Sequence, residues 1–331
     1  MLDLDLPLIA APMAGGPSTP ELVAAVTRTG AGGFLAAGYL APEAVAAQLR
    51  RTAELTHGRP FGVNLFVVEE TPVDEAELQR FSAALEPYAR EVGAELAEPT
   101  FDDDAFAAKL DIVLAERPAW VSFTFGCPDA EVFTALADRG IVSAQTVTDS
   151  DEARIAAERG ADVLVVQGPE AGGHRGTLRA DVWPTDTPLV ELLQDIADIG
   201  VPMVAAGGIA TRADVRRVLD HGARAAQIGT ALLLADEAGT NPTHRAALRS
   251  EEFATTVVTR AFTGRPARGL ANTVARLEAP AAYPHVHTMT SAFRKAAAAQ
   301  GRADLTHLWA GLRYREAQPG PAAGIITALV P

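Results

Sequence analysis

The stretch IVSAQTVTDSDEARIAAERGADVLVVQG (141–168) contains two short apolar runs on either side of a charged, helix-like segment. The runs IVSAQTV (141–147) and ADVLVVQG (161–168) are typical of buried parallel strands. Between them, DSDEARIAAERG (149–160) begins with a cap-type residue and acidic residues and ends in glycine, which predicts one capped helix. A strand, a helix and a strand in this order predict a parallel pair joined by a right-handed crossover.

The same alternation of strand and helix extends from the start of the chain to about residue 233. Eight strand–helix units in sequence order predict an α/β fold, a (β/α)₈ TIM barrel. A doubly wound open sheet is the alternative, and the number of strands favours the closed barrel. The six further apolar runs that predict strands are LIAAPM (8–13), GGFLAA (32–37), FGVNLFV (61–67), WVSFTF (120–125), PMVAAGG (202–208) and AAQIGTALL (225–233).

The chain is longer than a barrel needs, since its 331 residues exceed the roughly 250 of a typical (β/α)₈ barrel. Residues 69–118 are long for one crossover, and their acidic, alanine-rich stretches predict an inserted helical segment. We therefore predict a barrel over residues 1–233 with this insertion, followed by a C-terminal extension over 234–331. The insertion and the extension are expected to pack together as a cap beside the barrel mouth.

The composition argues against several partners and sites. The net charge of −14 and the isoelectric point of about 4.9 oppose binding to nucleic acid or to anionic membrane surfaces. The single cysteine, Cys127, allows no intrachain disulfide or cysteine-based metal site, and it suits a buried position better than a nucleophile. The HxH pair at His285 and His287 lacks a third ligand, so no metal site is predicted.

The start of the chain and its hydropathy predict the compartment. No basic segment precedes the first apolar run, as it would in a signal peptide. The sequence has no uninterrupted run of about 20 apolar residues, which a transmembrane helix would need. We expect a cytoplasmic protein, and its oligomeric state is left open by the sequence.

Polar residues and glycines collect at one end of the predicted strands. In barrel enzymes the active site lies at the C-terminal ends of the strands. A single polar residue there has an ordinary explanation, because neighbouring backbone groups can satisfy it, but the coincidence over several strands indicates a functional mouth. The residues at these ends are Pro12, Met13, Asn64, Thr124, Gln145, Gln167, Gly207, Gly208, Gly229 and Thr230.

Two glycine-containing segments, AAGGIA (205–210) and QIGTALL (227–233), follow the seventh and eighth strands. Glycine lets backbone N–H groups approach an anion closely, and the loops after these two strands form the recurring phosphate site of barrels. Either segment alone is an ordinary tight turn, whereas the pair on adjacent strands predicts phosphate binding. No GxxxxGK[ST] loop is present, which disfavours nucleotide triphosphate hydrolysis.

The segment QGPEAGGHRGT (167–177) directly follows the sixth buried strand. Gly172 and Gly173 give the backbone freedom to bend over a flat ligand, and His174 then projects at the barrel mouth. Histidine changes charge near neutral pH, so it can donate or accept a proton in catalysis. The flanking glycines and the position at the mouth favour a functional histidine over an ordinary surface one.

These motifs together resemble the nitronate monooxygenase family. The resemblance rests on APMAGG, GVNLF, VSFTFGCP, QGPEAGGHRG, AAGGI, QIGTALL and TGRPARGLAN, in this order, and covers about residues 8–275. It implies a TIM barrel that binds FMN without covalent attachment, and it implies that His174 is catalytic. The FMN contacts that it implies are Asn64, Gln167, Gly172, Gly208, Gln227, Ile228, Gly229 and Thr230, with Met13, Gln145 and Gly207 as additional candidates.

The function implied by the resemblance is oxidation of alkyl nitronates, including propionate 3-nitronate, by O₂ to a carbonyl compound and nitrite. The partners would be the small-molecule nitronate and O₂. The alternatives on the same scaffold are NAD(P)H-using enoyl-acyl-carrier-protein reductases and quinone reductases. The segment SFTFGCP and Arg175 after the histidine are more similar to the monooxygenases. A flavin-storing barrel and a flavin-free isomerase are the remaining possibilities.

Overall fold

Eight parallel strands close into a barrel in the computed structural model, which describes residues 4–331. The predicted (β/α)₈ barrel is confirmed, since the strands neighbour one another in sequence order and β9 pairs with β1. Three further strands, β7, β10 and β11, form a separate antiparallel sheet. The strands are β1 (Leu8–Ala10), β2 (Gly32–Ala36), β3 (Gly62–Phe66), β4 (Trp120–Thr124), β5 (Val142–Val147), β6 (Val163–Gln167), β7 (Gly173–His174), β8 (Met203–Ala206), β9 (Ala225–Ile228), β10 (Thr256–Thr259) and β11 (Ala267–Leu270).

Local signals begin and end the helices. The side chain of Asp149 accepts the Glu152 N–H at the start of α6, and Gly160 ends that helix with a φ of 98°, a conformation that glycine adopts without strain. The helices are α1 (Pro20–Thr27), α2 (Pro42–Thr56), α3 (Glu75–Glu91), α4 (Phe106–Glu116), α5 (Ala130–Ala137), α6 (Ser150–Arg159), α7 (Leu189–Ile196), α8 (Arg212–Asp220), α9 (Pro242–Arg249), α10 (His285–Ala299) and α11 (Ala322–Leu329). Along residues 4–331, no helix is both long and apolar enough to cross a membrane.

The pleat of each strand separates two buried layers. Side chains such as Trp120 and Ala144 fill the barrel interior, whereas Val121 and Val147 pack in the layer between the strands and the outer helices. Successive strand residues point to opposite faces, so only every second residue at a strand end reaches the barrel mouth.

The segment 69–118 consists of two structurally different parts. Helix α3 shares an apolar cluster with α10 of the C-terminal extension, in which Phe81 and Leu85 join Met289 and Phe293. Helix α4 instead packs against α2 and β3. Helix α4 is therefore the outer helix of the third barrel unit, and α3 with its flanking loops is what is added to the barrel.

The extension after residue 233 also has two parts. Its strands β10 and β11 continue into β7, and the loop histidine pairs there in the register Ala267↔His174. Its helix α11 packs between α1 and α8 and completes the outer ring of the barrel. The predicted eighth strand is shorter than 225–233, because Thr230–Leu232 already turn as a 3₁₀ helix.

A buried ion pair ties the loop before α4 to the barrel mouth. The ammonium of Lys109 lies 2.7 Å from the carboxylate of Asp104, and these side chains are 1% and 9% exposed. Lys109 also donates to the carbonyl oxygen of Ala37, and the Asp104 carboxylate accepts the N–H of Tyr39. The pair therefore holds the loop after β2, in which Tyr39 has a left-handed φ of 68°.

Replacing Asp104 by alanine should lower the free energy of unfolding by about 3–5 kcal/mol, because the Lys109 ammonium is left buried without its partner. The variant Asp104→Ala/Lys109→Met is the matched control, and it should recover most of that loss since no buried charge remains. Urea unfolding of the three proteins measures the difference. If the free energy of unfolding of the single variant falls by less than about 1 kcal/mol, the range of an exposed ion pair, the expected cost of an unpaired buried charge is absent and the prediction is wrong.

Candidate active site

A deep cavity opens at the C-terminal ends of the barrel strands and encloses about 1500 Å³, including the space at its mouth. This is the end of a barrel where active sites occur. With one exception, every residue that the sequence predicts for the site lines this cavity. The predicted residues that line it are Met13, Asn64, Gln167, Gly172, His174, Gly207, Gly208, Gln227, Ile228, Gly229 and Thr230.

The exception is Gln145, which is fully buried and does not line the cavity. Its amide nitrogen donates to the carbonyl oxygens of Gly126 and Thr146. Because side chains alternate along β5, Gln145 points towards the outer helices and its neighbour Thr146 lines the cavity instead.

Hydroxyl and amide groups of three neighbouring strands form the floor of the cavity. The side-chain oxygen of Asn64 accepts hydrogen bonds from Ser122 at 2.8 Å and from Thr124 at 2.9 Å. The hydroxyls of Thr124 and Thr146 lie 3.3 Å apart. With its oxygen used in this way, the amide of Asn64 has its NH₂ group left to donate to a ligand.

The loop after β6 is folded over the mouth by Gln167. The amide nitrogen of Gln167 donates to the carbonyl oxygen of His174 at 3.0 Å, and its oxygen accepts the N–H of Gly176 at 2.8 Å. Gly172 in the same loop allows a close approach to the extension, since a Cβ there would lie 2.4 Å from the backbone nitrogen of Gly311. The loop is therefore held from the barrel and from the extension.

The glycine-rich end of the cavity has the features of an anion site. Gly208 has a φ of 65°, and a Cβ there would lie 2.9 Å from the Cβ of Glu170. Helix α8 begins just beyond it with a reciprocal cap between Thr211 and Asp214. A helix N-terminus beside an open glycine backbone favours a bound anion. Arg313 of the extension also lines this end, paired with Asp214.

His174 lies among aromatic side chains of the cavity. Its Nε2 is 2.9 Å from the hydroxyl of Thr263. Its ring centroid lies 5.3 Å from that of Phe125, 5.4 Å from that of Trp309 and 6.2 Å from that of Tyr283. Burial, together with two nearby guanidiniums, lowers the pKa of His174 to about 3, so the imidazole is neutral at physiological pH.

The two guanidiniums belong to Arg265 and Arg294, which are 2% and 6% exposed. Arg265 lies 4.3 Å above the ring of Phe125 and donates to that residue's carbonyl oxygen and to the hydroxyl of Thr177. Arg294 donates to the hydroxyl of Thr290 and to two imidazoles. Among residues 4–331 neither guanidinium has a hydrogen-bonded carboxylate, so both place positive charge beside His174, which favours an anionic ligand there.

Several residues of the site come from segments to which the sequence assigns no role there. Thr263 and Arg265 belong to TGRPARGLAN, a motif that carries the family resemblance, but it has no predicted role. The others lie in loops or in the extension. There the alternation of side chains along a strand cannot be used to predict which residues point into the barrel. These are Tyr39, Phe125, His307, Trp309 and Arg313, all of which line the cavity, and Tyr283 beside it.

Comparison with known proteins agrees with this architecture. A family model described as nitronate monooxygenase matches residues 2–331. The nitronate monooxygenase of Pseudomonas aeruginosa is 37% identical over 100% of this chain and 97% of its own length. The crystal structure of a nitroalkane oxidase from Streptomyces ansochromogenes is 42% identical, with a TM-score of 0.94 over 99% of this chain and 95% of that one. The resemblance predicted from the motifs is thus confirmed: the chain is an oxidoreductase that belongs to the nitronate monooxygenase family.

Proposed function

We propose that this protein binds FMN in the cavity and oxidises alkyl nitronates, of the propionate 3-nitronate type, with O₂ to a carbonyl compound and nitrite. One observation carries the proposal: a neutral histidine faces the cavity beside two buried guanidiniums that have no hydrogen-bonded carboxylate among residues 4–331. A nitronate is an anion whose charge lies on its two oxygens. It therefore matches the positive charge beside His174 and can accept hydrogen bonds there.

The remainder of the cavity suits FMN. Gly207, Gly208, Gly229 and Thr230 would hold the phosphate, because their backbone is open to the cavity and a helix begins beside them. Asn64 would donate its NH₂ group to the polar edge of the flavin ring. When bound, FMN supplies the redox chemistry, and the protein supplies binding, orientation and electrostatics.

The hydrogen bond of His174 determines which of its atoms meets the substrate. Nε2 is occupied by Thr263, so Nδ1 is the nitrogen available to a ligand. A hydroxyl both donates and accepts, so Thr263 can support either tautomer. With a nitronate, Thr263 donates to Nε2 and the Nδ1 proton is donated to a nitronate oxygen. With a neutral nitroalkane, Thr263 accepts from Nε2 and Nδ1 accepts the proton from carbon.

The surrounding charges favour the first of these two reactions. Accepting a proton would turn His174 into an imidazolium near Arg265 and Arg294, and both guanidiniums oppose that charge. When the substrate is already an anion, His174 stays neutral, so no repulsion between an imidazolium and the two guanidiniums arises. The site is therefore better suited to nitronates than to neutral nitroalkanes.

The purified protein should be yellow, release FMN on denaturation and convert an alkyl nitronate and O₂ into nitrite. Anaerobic mixing with the nitronate, followed by the visible absorbance, should show rapid loss of the oxidised flavin band. The same experiment with NADPH is the control for the reductase alternative. Rapid bleaching by NADPH together with inertness towards nitronates would replace the proposed function with a reductase, and a colourless protein that ignores added FMN would reject both.

The substitution Gly208→Val should weaken FMN binding about tenfold or more, because displacing the backbone removes charge-assisted hydrogen bonds to the phosphate. The control is Gly200→Val, which imposes a similar backbone strain at a φ of 79° but with open space around it. Fluorescence titration of the apoproteins with FMN measures both affinities. Equal affinities in folded Gly208→Val and wild type would place the phosphate elsewhere.

The substitution His174→Ala should retain FMN, because the phosphate is assigned to backbone groups of other residues and the imidazole is assigned to the substrate. Its rate with a neutral nitroalkane should fall by about 10²- to 10⁴-fold, the usual cost of removing a general base. With a preformed nitronate the loss should be smaller, since only binding and orientation are lost. Steady-state oxygen consumption with both substrates gives the comparison. Loss of the flavin from this variant would make His174 a structural residue.

A further inference from the structure

Arg294, on α10, bridges two imidazoles next to the cavity. Its Nη2 lies 3.0 Å from Nδ1 of His287, and its Nη1 lies 3.5 Å from Nδ1 of His307. Its Nε donates to Thr290 at 3.0 Å. Nη2 also donates to the carbonyl oxygen of His287 at 3.2 Å, so among residues 4–331 the guanidinium bonds to three side chains and one carbonyl group, none of them acidic.

This contact sets the tautomer of both histidines. A guanidinium has only donors and stays charged, so each Nδ1 facing it must be the unprotonated nitrogen. The proton of each neutral imidazole then lies on Nε2. Burial holds the pKa of His307 well below its usual value, and the charge of Arg294 lowers it further, so His307 stays neutral with its proton on Nε2.

Only one of the two histidines reaches the ligand space. His287 is stacked on Tyr39, with ring centroids 4.0 Å apart and planes 7° from parallel, and it does not line the cavity. His307 lines the cavity. Its ring centroid is 5.4 Å from that of Trp309, and the ring of His174 lies at the same distance from this tryptophan. His174 and His307, two of the imidazoles that line the cavity, thus lie on one tryptophan side chain.

We propose that His307 is a second substrate-binding residue, whose Nε2–H donates a hydrogen bond to the anionic oxygen that His174 does not reach, and that Arg294 is its positioning residue. The proposal rests on the proposed function, because it takes the substrate to be a small anion with two or more oxygens. His174 and His307 then hold the anion from two sides. The Arg294 charge stabilises it through His307 without touching it.

The first experiment compares two replacements of His307 whose side-chain NH₂ donors lie at different distances from the backbone. In His307→Gln the side-chain NH₂ reaches about as far as Nε2, whereas in His307→Asn it reaches only as far as Nδ1. His307→Asn should raise KM for an alkyl nitronate, and the inhibition constant of nitrate, by roughly 10- to 100-fold, as expected for a lost hydrogen bond to a charged group. His307→Gln should recover most of both affinities.

The second experiment tests Arg294 by a property that a merely structural role would not change. Nitrogen-15 NMR of histidine-labelled protein should show His307 with a protonated Nε2 and an unprotonated Nδ1. In Arg294→Met the ring signals should move towards a mixture of the two tautomers. Nitrate added to the wild type should shift the Nε2 signal of His307. A wild-type His307 protonated on Nδ1, or an Nε2 signal that saturating nitrate leaves in place, would overturn the proposal even if the His307 variants fold poorly.

Failure of this proposal and failure of the proposed function give different results. If the wild type oxidises nitronates but His307→Asn has unchanged KM and nitrate inhibition, the role of His307 is rejected and the function stands. If the wild type is inert towards nitronates, the function is rejected. Nitrate titration of the His307 signal then still decides whether this residue binds an anion.

Discussion

The side-chain amide of Gln167 determines where the loop after β6 lies, because both of its ends bond to that loop. Its nitrogen binds the carbonyl oxygen of His174 and its oxygen binds the N–H of Gly176. With these two points held at the end of β6, the loop turns back over the mouth and pairs with β11. The position of the imidazole, and of Thr263 next to it, depends on this arrangement. Gln167 is thus part of the scaffold of the site as well as part of its wall.

The charge distribution of the molecule reverses locally at the site. The chain as a whole carries a net charge of −14, which would repel a small anion at long range. Beside His174 the local charge is positive, since the hydrogen-bond partners of the buried Arg265 and Arg294 among residues 4–331 are hydroxyls, carbonyls and imidazoles. A buried charge without an opposite charge is unfavourable. A bound anion would therefore relieve an electrostatic cost that folding alone leaves in place.

The sequence predicts the parts of this protein in which apolar residues recur at strand or helix spacing. It misses the parts whose position depends on tertiary packing. The strands and their common open end follow from alternating apolar and helical segments, so most of the residues singled out at the strand ends do line the cavity. Residue type does not reveal which side chains of β5 point into the barrel. Gln145 is the larger polar residue and is the one predicted, but Thr146 is the residue that faces the cavity. His307 and Trp309 reach the site through the packing of the extension, which no local pattern encodes.

The return of α11 to the barrel joins the end of the C-terminal extension to the first and last helices of the outer ring. The outer ring lacks a helix between α1 and α8 until Ala322–Leu329 dock there, so everything between β9 and α11 must be synthesised before the ring can close. Contacts between such distant segments slow folding, because the intervening chain must first be brought together. During translation the nascent barrel would thus stay open along one side, with apolar surface exposed to chaperones. Evolution of the segment between β9 and α11 is constrained accordingly, because insertions and deletions there must still allow α11 to dock against α1.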